Sequence, residues 1–245
     1  MKKIITICML AAIMVLLSGC VVMSINSLGN AVQGTGDRVS NSFNVINFTG
    51  LEISGAYTVI YRHSQTHAVV VEMHENLFDY LNVGVQNGVL RINSDRSFRT
   101  GRNETPHVYI YAPFLNSVDI AGAVTIQDWD TIRTDRMNIN AGGSARGTMP
   151  LEIENLEVSV AGAANFDFVG TATSATITIA GAGTINAGDL QTVSAQVSIA
   201  GSGNIEIAVS DMLDASITGA GRITYIGNPQ VNRSIAGAGT IRSRN

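Results

Sequence analysis

The sequence predicts an all-β fold in which successive coils of chain stack into a solenoid. The first observation is a nine-residue unit that recurs seven times between Ser117 and Ile241, with 18 to 21 residues between equivalent anchor positions. A period this regular indicates stacked repeats. The second observation is the alternation of apolar, mostly β-branched residues with polar ones, which favours strand over helix. The seven units begin at Val118, Met137, Val158, Ile177, Val197, Ala215 and Arg233.

The apolar positions of the units predict an interior built from columns. A strand with one apolar side cannot bury that side alone, so equivalent positions should lie over one another about 4.8 Å apart. The glycine-rich segment between the columns, such as Gly181-Ala182-Gly183, permits a corner with positive φ. The first predicted column is Ile120, Ile139, Val160, Ile179, Ile199, Ile217 and Ile235, and the second is Ile126, Ala145, Phe166, Ile185, Ile205, Ile223 and Ile241.

The repeated glycines fit structure better than ligand binding. A phosphate-binding loop needs its glycines once, before a helix and near a lysine. A calcium-binding nonapeptide needs an aspartate in every repeat. The units match neither pattern, so we interpret the glycines as corner residues.

The first residues have the layout of an export signal. Lys2 and Lys3 precede an apolar run that ends at Leu17, shorter than the roughly 17 to 25 residues of a membrane-spanning helix. The sequence L-S-G-C ending at Cys20 resembles the lipobox of bacterial lipoproteins, which implies cleavage before Cys20 and lipid attachment to it. We predict a lipid anchor in the bacterial cell envelope, with the outer membrane or cell surface favoured over the inner membrane. An ordinary signal cleaved elsewhere, or an unprocessed anchor, is the alternative.

The composition along the chain predicts three segments. Residues 1–19 form the signal peptide, and residues 20–42, rich in Ser, Asn and Gly, form the lipidated cysteine and a flexible tether. Residues 43–245 form one domain. Within it, 43–115 are atypical N-terminal coils or a cap, and 116–245 are the regular repeats.

The N-terminal part of the domain has bulkier side chains than the repeats. Leu51 to Val59 has the form of an outlying first copy of the unit. The strands on either side of Asn87-Gly88 predict a hairpin with a primed turn. Ten of the fourteen aromatic residues precede Leu115, which predicts an aromatic-rich cap that closes one end of the stack.

Several of these features together resemble one known family. The entry from Phe43, the N-G-V-L turn at Asn87, the strand ending in A-P-F-L at Leu115 and the repeated G-A-G-x-I units are similar to the head GIN domain of auto-transporter adhesins. The resemblance covers about residues 43 to 243. It implies a single-stranded, right-handed parallel β-helix on an exported, often lipid-anchored bacterial protein, and it supplies no catalytic motif.

Charge and cysteine content exclude several kinds of chemistry. Lys2 and Lys3 are the only lysines, so after cleavage 13 arginines would face 19 acidic residues. An acidic, lysine-free chain is a poor nucleic-acid binder and cannot form a Schiff base. Cys8 would leave with the signal and Cys20 would be acylated, so we expect neither a disulfide nor thiol catalysis. No cofactor is expected.

An acidic corner is the best candidate for carbohydrate binding. Trp129 is flanked by Asp128 and Asp130, and an aromatic ring between carboxylates can stack on a sugar while the acids bind its hydroxyls. The alternative is a solvated corner with the tryptophan plugging the first full coil.

Two further clusters contain residues that bind ligands in other proteins. Arg96, Arg99 and Arg102 predict a basic loop able to hold an anionic glycan or phosphate, unless they form a solvated hairpin exit. His63 and His67 are four residues apart, and in a strand that separates them by about 13 Å. No metal site is therefore expected.

The C-terminal coil leaves an open strand edge. We interpret Arg242 and Arg244 as charged guards against end-to-end growth, with docking of another copy or a partner as the alternative.

The predicted function is non-catalytic: a lipid-tethered structural or adhesive module that presents rigid polar faces to a glycan or a protein. One alternative is a polysaccharide-active β-helix enzyme that uses Asp128 and Asp130. The other is a periplasmic scaffold for envelope assembly.

Overall fold

The computed structural model describes residues 31–45, 47–101 and 104–244. The predicted signal peptide, Cys20 and the first part of the tether lie outside these residues, as does Arg102. The described chain contains one short 3₁₀ helix (Glu75–Tyr80) and is otherwise built from strands and their connections. The strands are β1 (Val32–Gln33), β2 (Arg38–Phe43), β3 (Gly50–His63), β4 (Ala68–His74), β5 (Leu81–Gln86), β6 (Val89–Ser94), β7 (Phe98–Arg99), β8 (His107–Ala112), β9 (Ser117–Ile126), β10 (Ile132–Gly143), β11 (Arg146–Gly162), β12 (Asn165–Gly181), β13 (Thr184–Gly201), β14 (Asn204–Gly219), β15 (Arg222–Ile226), β16 (Gln230–Gly237) and β17 (Thr240–Ser243).

The strands form a β-solenoid of about seven turns, as the period predicts. From β3 and β9 to β17 each strand pairs in parallel with the equivalent strand of the next coil. The strands from β11 to β14 are 16 to 18 residues long, because each continues around a corner of the coil. Alternate side chains point inward, so the core is a continuous stack of apolar residues along the axis.

The predicted columns are confirmed for most of the stack. Val160 pairs with Ile179, which pairs with Ile199, and the column continues through Ile217 to Ile235. The second column likewise runs from Phe166 through Ile185, Ile205 and Ile223 to Ile241.

The second unit departs from the predicted alignment by two residues. Ala141, not Ile139, pairs with both Ile120 and Val160, while Ile139 lies in the neighbouring column between Val118 and Val158. In the second column the place predicted for Ala145 belongs to Gly147, which pairs with Ile126 and Phe166. The alignment matched isoleucine with isoleucine, whereas the fold aligns the corner glycines. A shift of two residues keeps every side chain on its face, so the interior tolerates it.

One glycine column sets the register of all the coils. From Gly122 to Gly237 its members have φ between +119° and +140°. A Cβ at any of these positions would lie 2.4 to 2.6 Å from the carbonyl oxygen of the glycine in the preceding coil. The backbones of successive coils therefore approach each other at this corner more closely than a residue with a Cβ atom would permit, as the sequence predicts. The column is Gly55, Gly122, Gly143, Gly162, Gly181, Gly201, Gly219 and Gly237.

The N-terminal part caps the stack. The first copy of the unit is confirmed in β3, where Leu51 pairs with Val118 and Ile53 with Ile120. Strands β8, β4 and β2 extend the sheet beyond β3, with β4 antiparallel to both of its neighbours. The predicted hairpin is β5–β6, and its turn residue Asn87 has φ 53° and the following glycine 76°. Large aromatic side chains are buried here: Phe48, Tyr57 and Tyr61.

Part of the segment predicted as a tether, residues 20–42, lies in strands. Strand β1 pairs with β7, and β2 pairs with β4. Arg38 ties β2 down through an ion pair with Glu72 (3.2 Å) and a hydrogen bond to the carbonyl of Glu104 (2.8 Å). Strand β2 is polar because it lies at the edge of the sheet, and its sequence therefore lacks an apolar alternation.

In strand β16 of the last coil lies Arg233, a residue that the repeat pattern does not single out. Arg233 occupies a position that is apolar in the preceding coils. Its guanidinium donates a hydrogen bond to the Tyr225 hydroxyl (2.8 Å) and lies 5.7 Å from the centre of that ring. Ile235 in the same edge strand is 46% exposed. Arg244 reaches back across the lateral face to Glu206 and so does not cover the end.

Candidate functional site

The acidic corner is held together internally. The indole N–H of Trp129 donates to the carbonyl of Val59 (2.8 Å), and its ring lies 5.7 Å from the ring of Tyr61. Only 5% of Trp129 is exposed, so the ring plugs the first full coil and does not present a face to a sugar.

The two carboxylates beside Trp129 bind groups of the protein itself. Arg62 contacts both the carbonyl and the carboxylate of Asp128 and lies 3.7 Å from Asp130. Asp130 also accepts the backbone N–H of His63 (2.8 Å). The hydrogen bond to Asp128 is the largest of the effects that raise the pKa of the Arg62 guanidinium. The side chains of Asp128 and Asp130 are 73% and 43% exposed, so neither has the apolar burial that prepares a carboxyl to act as a general acid.

Residues of the predicted basic loop also form contacts within the protein. The Arg96 guanidinium lies 5.6 Å from the centre of the Tyr80 ring. Arg99 lies in β7, which pairs with β1 at Gln33. With Arg102 outside the described residues, the anion-binding prediction for this loop stays a prediction.

Three of the four histidines contact backbone carbonyl groups of neighbouring segments. His63 Nδ1 contacts the carbonyl of Pro113 (2.8 Å), and His67 Nε2 contacts that of Phe48 (2.9 Å). His74 Nδ1 lies 2.9 Å from the carbonyl of Gly36. In the part of the chain that the structure describes, no three potential ligands are grouped to hold a metal ion.

The lateral faces carry polar side chains that bind one another along the stack. Ser216 donates to Ser198 one coil earlier (3.0 Å), and Asn186 donates to Asp167 (3.1 Å). These contacts join residues that occupy equivalent positions in successive coils. The faces are therefore regular arrays of hydroxyl, amide and carboxylate groups on a rigid scaffold.

One lateral face contains a groove near the C-terminal end. It has a volume of about 500 Å³ and is lined by residues of β13, β14, β15 and β17 and by Arg244, which follows β17. Its charged residues are Arg222, Arg242, Arg244 and Glu206, and its neutral polar residues include Thr184, Asn186, Asn204 and Thr224. The groove was not predicted from the sequence, although the outward arginines of the units G-R-I-T and G-T-I-R contain the signal.

The family model described as "Putative auto-transporter adhesin, head GIN domain" matches residues 47–229. This chain belongs to that family. The match covers most of the chain and confirms the resemblance drawn from the repeats and the cap. Membership in an adhesin family points to the cell surface or envelope as the location. No curated protein matches the chain significantly.

Solved structures agree with the fold of this head GIN domain. A crystal structure described as a "putative adhesin" from Bacteroides fragilis is 23% identical, with a TM-score of 0.80 over 87% of this chain and 100% of the other. A "putative lipid binding protein" from Parabacteroides distasonis is 24% identical, with a TM-score of 0.71 over 88% and 100%. A "putative adhesin" from Parabacteroides merdae is 22% identical, with a TM-score of 0.67 over 88% and 100%. At these identities the likeness concerns the fold.

Within the described residues, no helix is both long and apolar enough to cross a bilayer.

Proposed function

We propose that this head GIN domain is a lipid-anchored module of the bacterial cell envelope that binds a glycan or a protein through its lateral faces without catalysis. The observation that carries this proposal is the stack of polar side chains on a rigid solenoid. The bonded neighbours Ser198 and Ser216, and Asp167 and Asn186, occupy equivalent positions of successive coils. Groups already held in place lose little conformational freedom on binding.

Binding is favoured over catalysis by the state of the acidic corner. Asp128 and Asp130 are engaged by Arg62, and Asp130 also by the backbone of His63. A polysaccharide-active enzyme would need one of these carboxyls to carry a proton near a bound sugar. Both instead face the guanidinium of Arg62 at an exposed corner.

The proposed anchor is supported by the L-S-G-C sequence that ends at Cys20. This sequence lies outside the family match, which covers residues 47–229. Labelled fatty acid should be incorporated into the wild-type protein and not into a Cys20→Ser variant. A wild-type protein that is released unlabelled into the periplasm would refute the anchor.

Protease treatment of intact cells distinguishes surface display from a periplasmic scaffold. A surface adhesin is cleaved in intact cells, whereas a periplasmic scaffold is cleaved only after the outer membrane is opened. Glycan arrays and pull-downs from envelope fractions then test binding. If the surface-exposed protein retains no glycan and no envelope protein, the adhesive role is wrong.

A further inference from the structure

The groove near the C-terminal end combines cations with neutral polar groups. We propose that it binds an acidic oligosaccharide, a chain of sugars that carries carboxylate or sulfate groups. This inference rests on the proposed adhesive function and assigns a site and a ligand class to it.

Positive charge is in local excess in the groove. The whole chain has a formal net charge of −4, but this groove contains three arginines and one glutamate. Glu206 forms an ion pair with Arg244. A locally positive groove on an acidic protein favours the approach of an acidic ligand to that region.

Two of these arginines form no ion pair with any residue that the structure describes. Elsewhere, ion pairs with an acid of a neighbouring segment are formed by Arg38, Arg62, Arg91 and Arg133. Among the described residues, no ion pair or side-chain hydrogen bond engages the guanidinium of Arg222 or Arg242. Both side chains are exposed. Two uncompensated guanidinium groups in one groove are able to bind carboxylates from outside in bidentate geometry.

The spacing of these two arginines favours an extended ligand. Arg222 pairs with Thr240, and Thr224 pairs with Arg242, so the two arginines are one strand and two positions apart. With about 4.8 Å between strands and about 3.3 Å per residue, their Cα atoms lie about 8 Å from one another. One phosphate group would favour cations that converge on a point. Cations set apart along a groove instead suit a ligand that carries several charges along a chain.

The polar surface around the arginines suits a sugar. Thr184, Asn186 and Asn204 are exposed in the groove and offer hydroxyl and amide groups, which match the hydroxyls of a sugar. The lining contains no aromatic side chain on which a nucleobase could stack. The volume of about 500 Å³ is in the range that accommodates a small ligand. A short acidic glycan meets each of these conditions.

The test is calorimetric titration of the full-length protein in detergent with four probes. They are a tetramer of galacturonic acid, a sulfated tetrasaccharide of the heparin type, a neutral tetrasaccharide and inorganic phosphate. We expect the acidic oligosaccharides to bind, with an affinity that falls as salt is added, and the neutral sugar and phosphate to bind at least about tenfold more weakly. The carboxylated and sulfated probes show which anionic group is preferred.

Variants locate the binding in the groove. The double variant Arg222→Gln with Arg242→Gln should lose affinity for the acidic oligosaccharide by about tenfold or more, since two charge-assisted interactions are removed. The control, Arg136→Gln with Arg146→Gln, removes the same charge from two other exposed arginines and should change affinity less than about twofold. Circular dichroism checks that all variants are folded.

Three outcomes would overturn the proposal. They are equal loss in the groove and control variants, equal binding of neutral and acidic probes, and no binding of any acidic probe. If envelope pull-downs still retain a ligand in any of these cases, the adhesive function stands and only the groove assignment is wrong. If the pull-downs also fail, both are wrong.

Discussion

The glycine column makes the strongest prediction about stability, and Gly201→Ala tests it. Gly201 has φ +133°, and a Cβ there would lie 2.4 Å from the carbonyl oxygen of Gly181. An alanine forced into this region of φ costs about 1–3 kcal/mol. The clash must in addition push two coils apart, which typically costs about 1–3 kcal/mol more. We expect the free energy of unfolding to fall by about 2–6 kcal/mol, the sum of these two contributions.

Two other glycines separate these contributions. Gly88 has φ +76°, and a Cβ added there would meet no atom within 4 Å, so Gly88→Ala carries only the backbone strain, about 1–2 kcal/mol. Gly84 lies in a strand, has no positive φ and likewise has open space where a Cβ would lie. Gly84→Ala should therefore be neutral or stabilise by up to about 1 kcal/mol.

Urea unfolding followed by far-ultraviolet circular dichroism measures all three variants. The expected order of stability is Gly84→Ala, then Gly88→Ala, then Gly201→Ala. If Gly201→Ala is no less stable than Gly88→Ala, the coils can separate locally at little cost. The close contact along the glycine column would then not determine the register.

Three other predictions concern the ends of the stack and its titrating groups. Arg233→Val should cause self-association in light scattering, because it removes the charge that lies over Tyr225 at the edge strand β16. A variant that stays monomeric would show that Arg233 does not protect this edge. The pKa of Tyr61 is raised to about 12, chiefly by burial and secondly by the charge of Asp130. The stability that Tyr61 contributes is therefore present below the usual tyrosine pKa of about 10 and is lost as the pH rises towards 12. Tyr61→Phe should shift the midpoint of alkaline unfolding upward, and an unchanged midpoint would contradict this. The pKa of Glu104 is lowered, chiefly by a hydrogen bond from the backbone of Gly101 and secondly by one from His74. The stability that Glu104 contributes is therefore present at neutral pH and is lost as the pH falls below the usual glutamate range. Glu104→Gln should flatten the acid limb of the stability curve, and an equally steep limb would show that the pairing has no effect.

The repeat could be predicted from the sequence because each coil buries the same positions. The alternation of Ile177, Thr178 and Ile179 determines which side chains point inward, and stacking then follows from the period. The register of the second unit could not be predicted in the same way. Ile139 and Ala141 both point inward, so hydrophobicity cannot choose between them. The close approach of Gly143 to Gly122 does choose, and it depends on the backbone of a neighbouring coil.

The tether boundary and the groove were hard to predict for a related reason. Strand β2 is held by Arg38, whose partners Glu72 and Glu104 are 34 and 66 residues away in the sequence. The local sequence pattern does not reveal contacts between residues so far apart in the chain. Arg222 and Arg242 are 20 positions apart in the chain, and they share a groove only because successive coils bring their strands together.

The distribution of charge along the lateral faces supports a binding role for the groove. Like charges on adjacent strands repel each other, and three aspartates avoid this by having an asparagine as their neighbour in the next coil. Asn140 donates to Asp119 (2.7 Å), Asn186 to Asp167 (3.1 Å) and Asn232 to Asp214 (2.7 Å).

Arg222 and Arg242 lie on the adjacent strands β15 and β17, and within the described residues neither forms an ion pair. In a fold whose outward positions can vary without disturbing the core, either arginine could be replaced by a neutral residue at no loss of packing. An arrangement that gains nothing for stability is the kind expected at a site of binding. The same column geometry that lets the interior repeat unchanged thus allows one face of the last coils to carry a charge pattern of its own.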